Sequence, residues 1–242
     1  LANIKLRFFT DISHELRTPL TLIEGPLSEV LADEKLPEAD REYLTVVQTN
    51  AHRMLNLINQ ILDFRKIQNE KMRLLVEKLN VRESLEAIME NFENIARQHR
   101  IDFRLEMGAD DVYVWADRDK FEKIFVNIIS NAFKYTPPGK TITVRVKSDN
   151  ENVVVAVQDQ GVGIQPSKVA MLFQRFDTIL QDNIYQQSTG IGLSLVKQLV
   201  DLHHASIDVQ SEEGVGSTFE VSFPVGKTHL EDDERVEFLM ND

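Results

Sequence analysis

Cysteine is absent from all 242 residues, which rules out a disulfide framework and any thiolate metal site and suits a reducing compartment. Long apolar runs are missing too. No window approaches 18 uninterrupted hydrophobic residues and no signal peptide opens the chain, so nothing here is expected to span or contact a membrane. Positive charge is in deficit, with 27 Lys and Arg against 39 Asp and Glu for a formal charge of -12. The average surface therefore repels nucleic-acid backbones and anionic lipid, and nucleic acid is an unfavoured partner. What remains is ordinary globular composition, 42% hydrophobic, with room for two modest domains.

Apolar residues recur at helical spacing from the start: Ile4, Phe8, Ile12, Leu16, Leu20, Ile23, Leu27 and Leu31, steps of three and four that form one stripe. Pro19 cannot donate to the Glu15 carbonyl, so a bend or loosening is expected within a turn of His14. LADEKLPEAD reads as a polar connection, with Asp40 as N-cap of a second helix. There Leu44, Val47, Ala51, Met54, Ile58 and Ile61 make an a/d seam. Two such stripes are not fully buried by a lone hairpin. The pattern leaves open a dimeric four-helix bundle and an intrachain hairpin lying on the next domain.

His14 and Glu15 resemble the opening of an HExxH zinc motif, but position 18 is Thr, so a ligand is missing and zinc is rejected. Alone, His14 reads as a surface histidine. The sharper reading is a nucleophile, since a neutral imidazole nitrogen is available near neutral pH and Glu15 can take its proton.

A domain boundary is expected near Val76, giving residues 1–76, 77–226 and an acidic linker over 227–242. Val81 to Arg97 reads as one amphipathic helix, and IDFRLEM and VYVWAD as strands. Asp119 to Tyr135 returns to helix, with Asn127, Asn131 and Lys134 on its polar face. Two asparagines in register are poor helix formers, which points either to a solvated face or to a site where amides hold a metal and Lys134 meets phosphate. TITVRVKS and NVVVAVQD form a hairpin that runs into Asp159, Gly161 and Gly163. Gly190 and Gly192 open another amphipathic helix, an anion-site arrangement that is neither a Walker loop nor a Rossmann fingerprint. ASIDVQSEEGVGSTFEVSFPV closes the sheet as a hairpin.

Taken together, the chain resembles the catalytic core of sensor histidine kinases from Phe8 to Val225. FFTDISHELRTPL is similar to the family's H box, NIISNAFKYT to its N box, DQGVGI to G1, LFQRF to the F box, and STGIGLSL with GVGSTF to G2. The wording STGIGLSLVKQLVDLHH and the acidic tail are similar to hybrid two-component sensors of gut Bacteroides type. The resemblance implies an α+β protein: a dimerising phosphoacceptor hairpin in a four-helix bundle, then a Bergerat-type α/β sandwich that binds ATP and Mg²⁺.

It further implies that His14 is phosphorylated at Nε2, that Glu15 assists, and that Thr18 positions water for dephosphorylating the partner. Asn131 binds Mg²⁺, with Asn127 and Lys134 beside the phosphates. Asp159 receives the adenine amino group, Gly161 and Gly163 shape its pocket, and Gly190 and Gly192 hinge a lid over Asp177 to Ser188. Tyr135, Ile164, Arg175, Thr189, Leu193 and Thr218 complete the nucleotide site. Ser188 departs from the glycine often found there, and a serine can still cap the helix. Implied partners are a second copy and the receiver domain of a response regulator. The fragment is expected in the cytoplasm, with the whole protein anchored in the inner membrane.

Two competing readings remain. A silent ATP-binding scaffold is disfavoured by the intact His14, Glu15, Asn131 and Asp159. Another Bergerat-fold ATPase, such as a chaperone or topoisomerase subunit, is disfavoured by the H-box helix.

Overall fold

The computed structural model describes residues 2–33, 35–68, 72–173 and 191–239, apart from the side chains of residues 2–15, 64, 65, 68 and 191. Contacts divide the chain into two compact units between Met72 and Arg73.

The first unit is a helical hairpin of α1 (Ala2–Leu31) and α2 (Glu38–Gln68). Pro19 and Pro26 both lie inside α1, so the expected loosening does not interrupt the helix. Each proline nevertheless removes one i to i−4 hydrogen bond. Leu20, Ala51, Ile58 and Leu62 are buried together, with Leu55 packed on them. Polar ties run alongside this seam: Arg17 Nη2 donates to Asn59 Oδ1 at 2.6 Å, and Gln48 Nε2 to Ser28 Oγ at 3.1 Å. The second helix starts two residues before the expected cap at Asp40, since Arg41 N already donates to Pro37 O at 2.9 Å. A helix start tolerates proline because its missing N–H would be unpaired there anyway. Arg41 also reaches back to the Leu31 and Asp33 carbonyls at 2.5 and 2.7 Å, satisfying acceptors that the end of α1 leaves open.

The second unit starts with β1 (Leu74–Asn80), α3 (Val81–Glu90) and α4 (Glu93–His99). Next come β2 (Asp102–Glu106), β3 (Tyr113–Asp117), α5 (Arg118–Tyr135), β4 (Thr141–Ser148) and β5 (Asn152–Asp159). The short α6 (Pro166–Val169), α7 (Ile191–Leu202), β6 (Ser206–Glu212) and β7 (Gly216–Pro224) follow. A 3-10 turn (Thr228–Leu230) and β8 (Val236–Phe238) complete it. Five strands form a mixed sheet in the order β2-β4-β5-β7-β6, and three form a smaller sheet in the order β3-β1-β8. Helix α5 turns Phe121, Ile124, Phe125, Ile128 and Ile129 inward, where Phe121 and Phe125 meet Phe223 of β7. This is an α/β sandwich, as the expected fold class requires.

Three expectations are corrected. Val76 is no boundary; it sits inside β1, paired with Asp117 on one edge and Phe238 on the other. Backbone pairing, which composition does not display, draws 73–76 into the second unit. The helix expected over Val81 to Arg97 breaks at Asn91 and Phe92 into α3 and α4. Finally, the acidic stretch 227–242 is not simply a linker. Leu230 is fully buried and β8 pairs in parallel with β1. Its few apolar residues are outnumbered by acids in sequence, but backbone pairing with β1 does not depend on side-chain charge.

Candidate functional site

Asp159 closes β5 and is buried. Its Oδ1 accepts the Gly161 N–H at 2.8 Å and the Ser217 N–H at 3.3 Å. Burial pushes its carboxyl pKa up, only partly offset by these two donors. The walls around it are backbone. A Cβ on Gly161 would stand 2.6 Å from both Asp159 Oδ1 and the Tyr135 carbonyl, and one on Gly163, where φ is +68°, would run into the Glu212 carbonyl. Gly216 likewise leaves no room, because a Cβ there would strike the Asp159 carbonyl. Ser211 Oγ stitches the rim by accepting the Ile164 N–H at 2.8 Å and donating to the Gly216 carbonyl at 3.0 Å. A carboxylate held, among the described residues, by backbone donors beside glycines that admit close approach is suited to accept a hydrogen bond from a flat polar ligand.

Helix α5 supplies the second wall. Asn127 and Asn131 are half-buried, and Lys134 and Tyr135 exposed. Asn127 Nδ2 donates to the Lys123 carbonyl at 2.7 Å. Its Oδ1 faces α7, since a Cβ on Gly192 would lie 2.8 Å from that oxygen. Lys134 Nζ lies 5.2 Å from the Tyr135 ring centre. The Tyr135 carbonyl accepts the Val162 N–H at 3.2 Å, which ties the end of α5 to the glycine turn. Ile164 and Leu193 are half-buried.

The motif points to Thr218, and the strand register sets its neighbour Ser217 directly beside Asp159. Asp159 is in register with Ser217, whereas Thr218 pairs with Gln158 and Gln210. Because strand side chains alternate, Thr218 faces the opposite side of the sheet from Asp159. A cleft of about 620 Å³ is lined by Thr218, Gln158, Gln210 and Lys140 together with Asp159, Ser211 and Ser217. Ser217 was missed because GVGSTF offers two adjacent hydroxyls and only the register tells them apart.

His14, Glu15 and Thr18 fall on α1; Thr18 is exposed, while the His14 and Glu15 side chains lie outside the described residues. So do Arg175, Thr189, Gly190 and the lid from Asp177 to Ser188. Among the described residues no three His, Cys, Asp or Glu cluster to hold a metal. A divalent ion beside Asn131 would therefore draw on its amide oxygen and on ligand phosphates, a donor set that suits a hard cation.

Residues 4–70 match the His Kinase A (phospho-acceptor) domain, and 116–227 match the histidine kinase-, DNA gyrase B-, and HSP90-like ATPase family. Histidine kinase P4 of Formosa agariphila is 39% identical over 98% of this chain and 18% of its own length. Sensor histidine kinase TmoS of Ectopseudomonas mendocina is 36% identical over 93% of this chain and 23% of its own length. The chain thus spans about a fifth of the length of these relatives. Among solved structures, full-length ShkA in complex with AMPPNP superposes with a TM-score of 0.73 at 24% identity, covering 90% of this chain and 45% of that one. Histidine kinase ThkA in complex with response regulator protein TrrA gives a TM-score of 0.63 at 24% identity, covering 93% of this chain and 62% of that one. With the phosphoacceptor model and the ATPase model matched in this order along one chain, the protein belongs to the histidine kinases, as their catalytic core.

Proposed function

We propose that this chain is an ATP-dependent protein-histidine kinase of a two-component system, and that it phosphorylates His14. The observation that carries the reading is Asp159, a buried carboxylate that, among the described residues, is held by the backbone N–H groups of Gly161 and Ser217 beside close-packed glycines. Its remaining oxygen takes the adenine amino group, while Gly161 and Gly163 let the ring approach the backbone. Asn127, Asn131 and Lys134 hold the triphosphate on the exposed side of α5. Mg²⁺ bound through Asn131 supplies the charge neutralisation that phosphoryl transfer needs. With Lys134 it makes a locally positive field in an acidic protein.

Phosphoryl transfer is mainly a matter of positioning, so the task of α1 is to present a neutral His14 imidazole in line with the γ-phosphorus. Glu15 accepts the proton on the ring's other nitrogen, raising the nucleophilicity of Nε2. The phosphoryl group then passes to an aspartate of a response regulator receiver domain, and Thr18 positions the water that removes it again. A second copy of the hairpin covers Leu16, Ile23 and Val30 of α1 and Val47 and Met54 of α2. These residues recur every seven positions and are all exposed in the single chain. The core acts in the cytoplasm, joined in the whole protein to a sensor and an inner-membrane anchor.

Incubation with radiolabelled ATP and Mg²⁺ tests the reading. Acid-labile, base-stable label is expected, and it is lost in His14→Gln. Hydrolysis without label would leave an ATPase, and binding with neither would leave a scaffold.

A further inference from the structure

Helices α5 and α7 pack against each other, and two contacts mark the opposite ends of the pair. One is the close approach of Gly192 to Asn127, where a Cβ would lie 2.8 Å from the amide oxygen. The other is at the opposite ends. His203, fully buried just past the last turn of α7, has Nε2 3.1 Å from the Asp117 backbone nitrogen and Nδ1 2.7 Å from the Leu199 carbonyl. The Leu199 carbonyl can only accept, so Nδ1 carries the proton and Nε2 receives the Asp117 N–H. Burial also lowers the His203 pKa and keeps the ring neutral, as this pairing requires.

Asp117 is itself a junction. It caps α5 by accepting the Lys120 N–H on Oδ1 at 3.1 Å, and takes the Leu75 N–H of β1 on Oδ2 at 2.9 Å. One residue thus links β1, the start of α5 and the end of α7. The contacts are ten residues apart on α5 and eleven on α7, about 15 and 16.5 Å of helix. Such matched spans make the two helices an antiparallel pair pinned at both ends.

We propose that His203 is a positioning residue for the nucleotide site: with Asp117 it forms the far pin that sets the angle at which α5 presents Asn127, Asn131 and Lys134. The proposal rests on the nucleotide-binding role given to those residues above. Asn131 lies four residues beyond the near pin, about 6 Å along α5. If the far pin gives by about 1.5 Å, rotation about the near pin moves Asn131 by roughly 0.6 Å. A displacement of this size lengthens the contacts of Asn131 and Lys134 to the phosphates, which weakens the hold on ATP.

The test compares wild type, His203→Phe and His203→Gln for ATP affinity, for KM and kcat of His14 phosphorylation, and for phosphoryl transfer from purified phosphorylated protein to a receiver domain. Phenylalanine fills the volume but cannot accept the Asp117 N–H, so KM for ATP is expected to rise about tenfold. Glutamine offers an amide oxygen in the same direction and should recover most of that loss. Transfer to the receiver, which needs no ATP, should be unchanged in both. A folded His203→Phe protein with wild-type KM overturns the proposal, as does a glutamine variant no better than phenylalanine. If His203→Phe fails to fold, the wild-type ring still gives an answer. Addition of ATP should shift its Nε2 nitrogen resonance, and an unmoved signal at saturating ATP also overturns the proposal. Wild-type protein that binds no ATP at all refutes instead the nucleotide reading beneath it.

Discussion

Asp159→Asn should weaken nucleotide binding and stabilise the protein at the same time. The amide keeps a carbonyl oxygen for the Gly161 and Ser217 N–H groups, at 2.8 and 3.3 Å in the wild type, so the local fold has its acceptor. The other oxygen becomes an NH₂ facing the amino group of adenine, donor against donor. Losing one hydrogen bond to a charged acceptor costs about 1.5 to 3 kcal/mol, or roughly ten- to 150-fold in Kd. Stability moves the other way. Burial raises the folded-state pKa of Asp159 above its ordinary 3.8, so the ionised carboxylate opposes folding. That cost is complete above the raised pKa and disappears as pH falls below 3.8. The variant should therefore outlast wild type in urea at neutral pH, and the gap should close in acid. Trp115, the single tryptophan, lies on β3 of the second unit, so its fluorescence follows that unit alone. Calorimetric titration with Mg-ATP measures the other half. An Asp159→Asn protein that binds ATP within about threefold of wild type, or that unfolds earlier at pH 7, would refute the reasoning.

Leu230→Ala tests whether the C-terminal stretch belongs to the fold. The side chain is fully buried, so truncation should cost the second unit about 2 to 5 kcal/mol, read as an earlier Trp115 transition in urea; an unchanged midpoint would mean that the tail is dispensable. Ile23→Asp tests the proposed dimer, because Ile23 is 46% exposed in the single chain and its loss should matter only where a second copy covers it. Sedimentation velocity should show a monomer of unchanged helix content, and a persistent dimer would place the interface elsewhere.

Much of the chain was legible from periodicity. Spacings of three and four marked α1, α2, α5 and α7 because an amphipathic helix buries one stripe, and alternation marked the two hairpins because strand side chains alternate faces. The glycine positions were equally plain, since nothing with a Cβ fits at Gly163 or Gly216. Where one element depends on another, the sequence was silent or misleading. Thr218 and Ser217 are chemically alike neighbours, and only the pairing of β7 with β5 puts Ser217 beside Asp159. His203 and Asp117 are 86 residues apart and belong to no shared motif, so their bond exists only once α5 and α7 are packed. Acids outnumber the apolar residues of 227–242, and only the free edge of β1 makes a strand of Val236–Phe238. Residue type and spacing determined which elements form and which chemistry they carry, because those are properties of a local segment. The domain boundary, the choice between adjacent hydroxyls and the pin between the helices came from contacts between distant segments, and those only the tertiary structure decided.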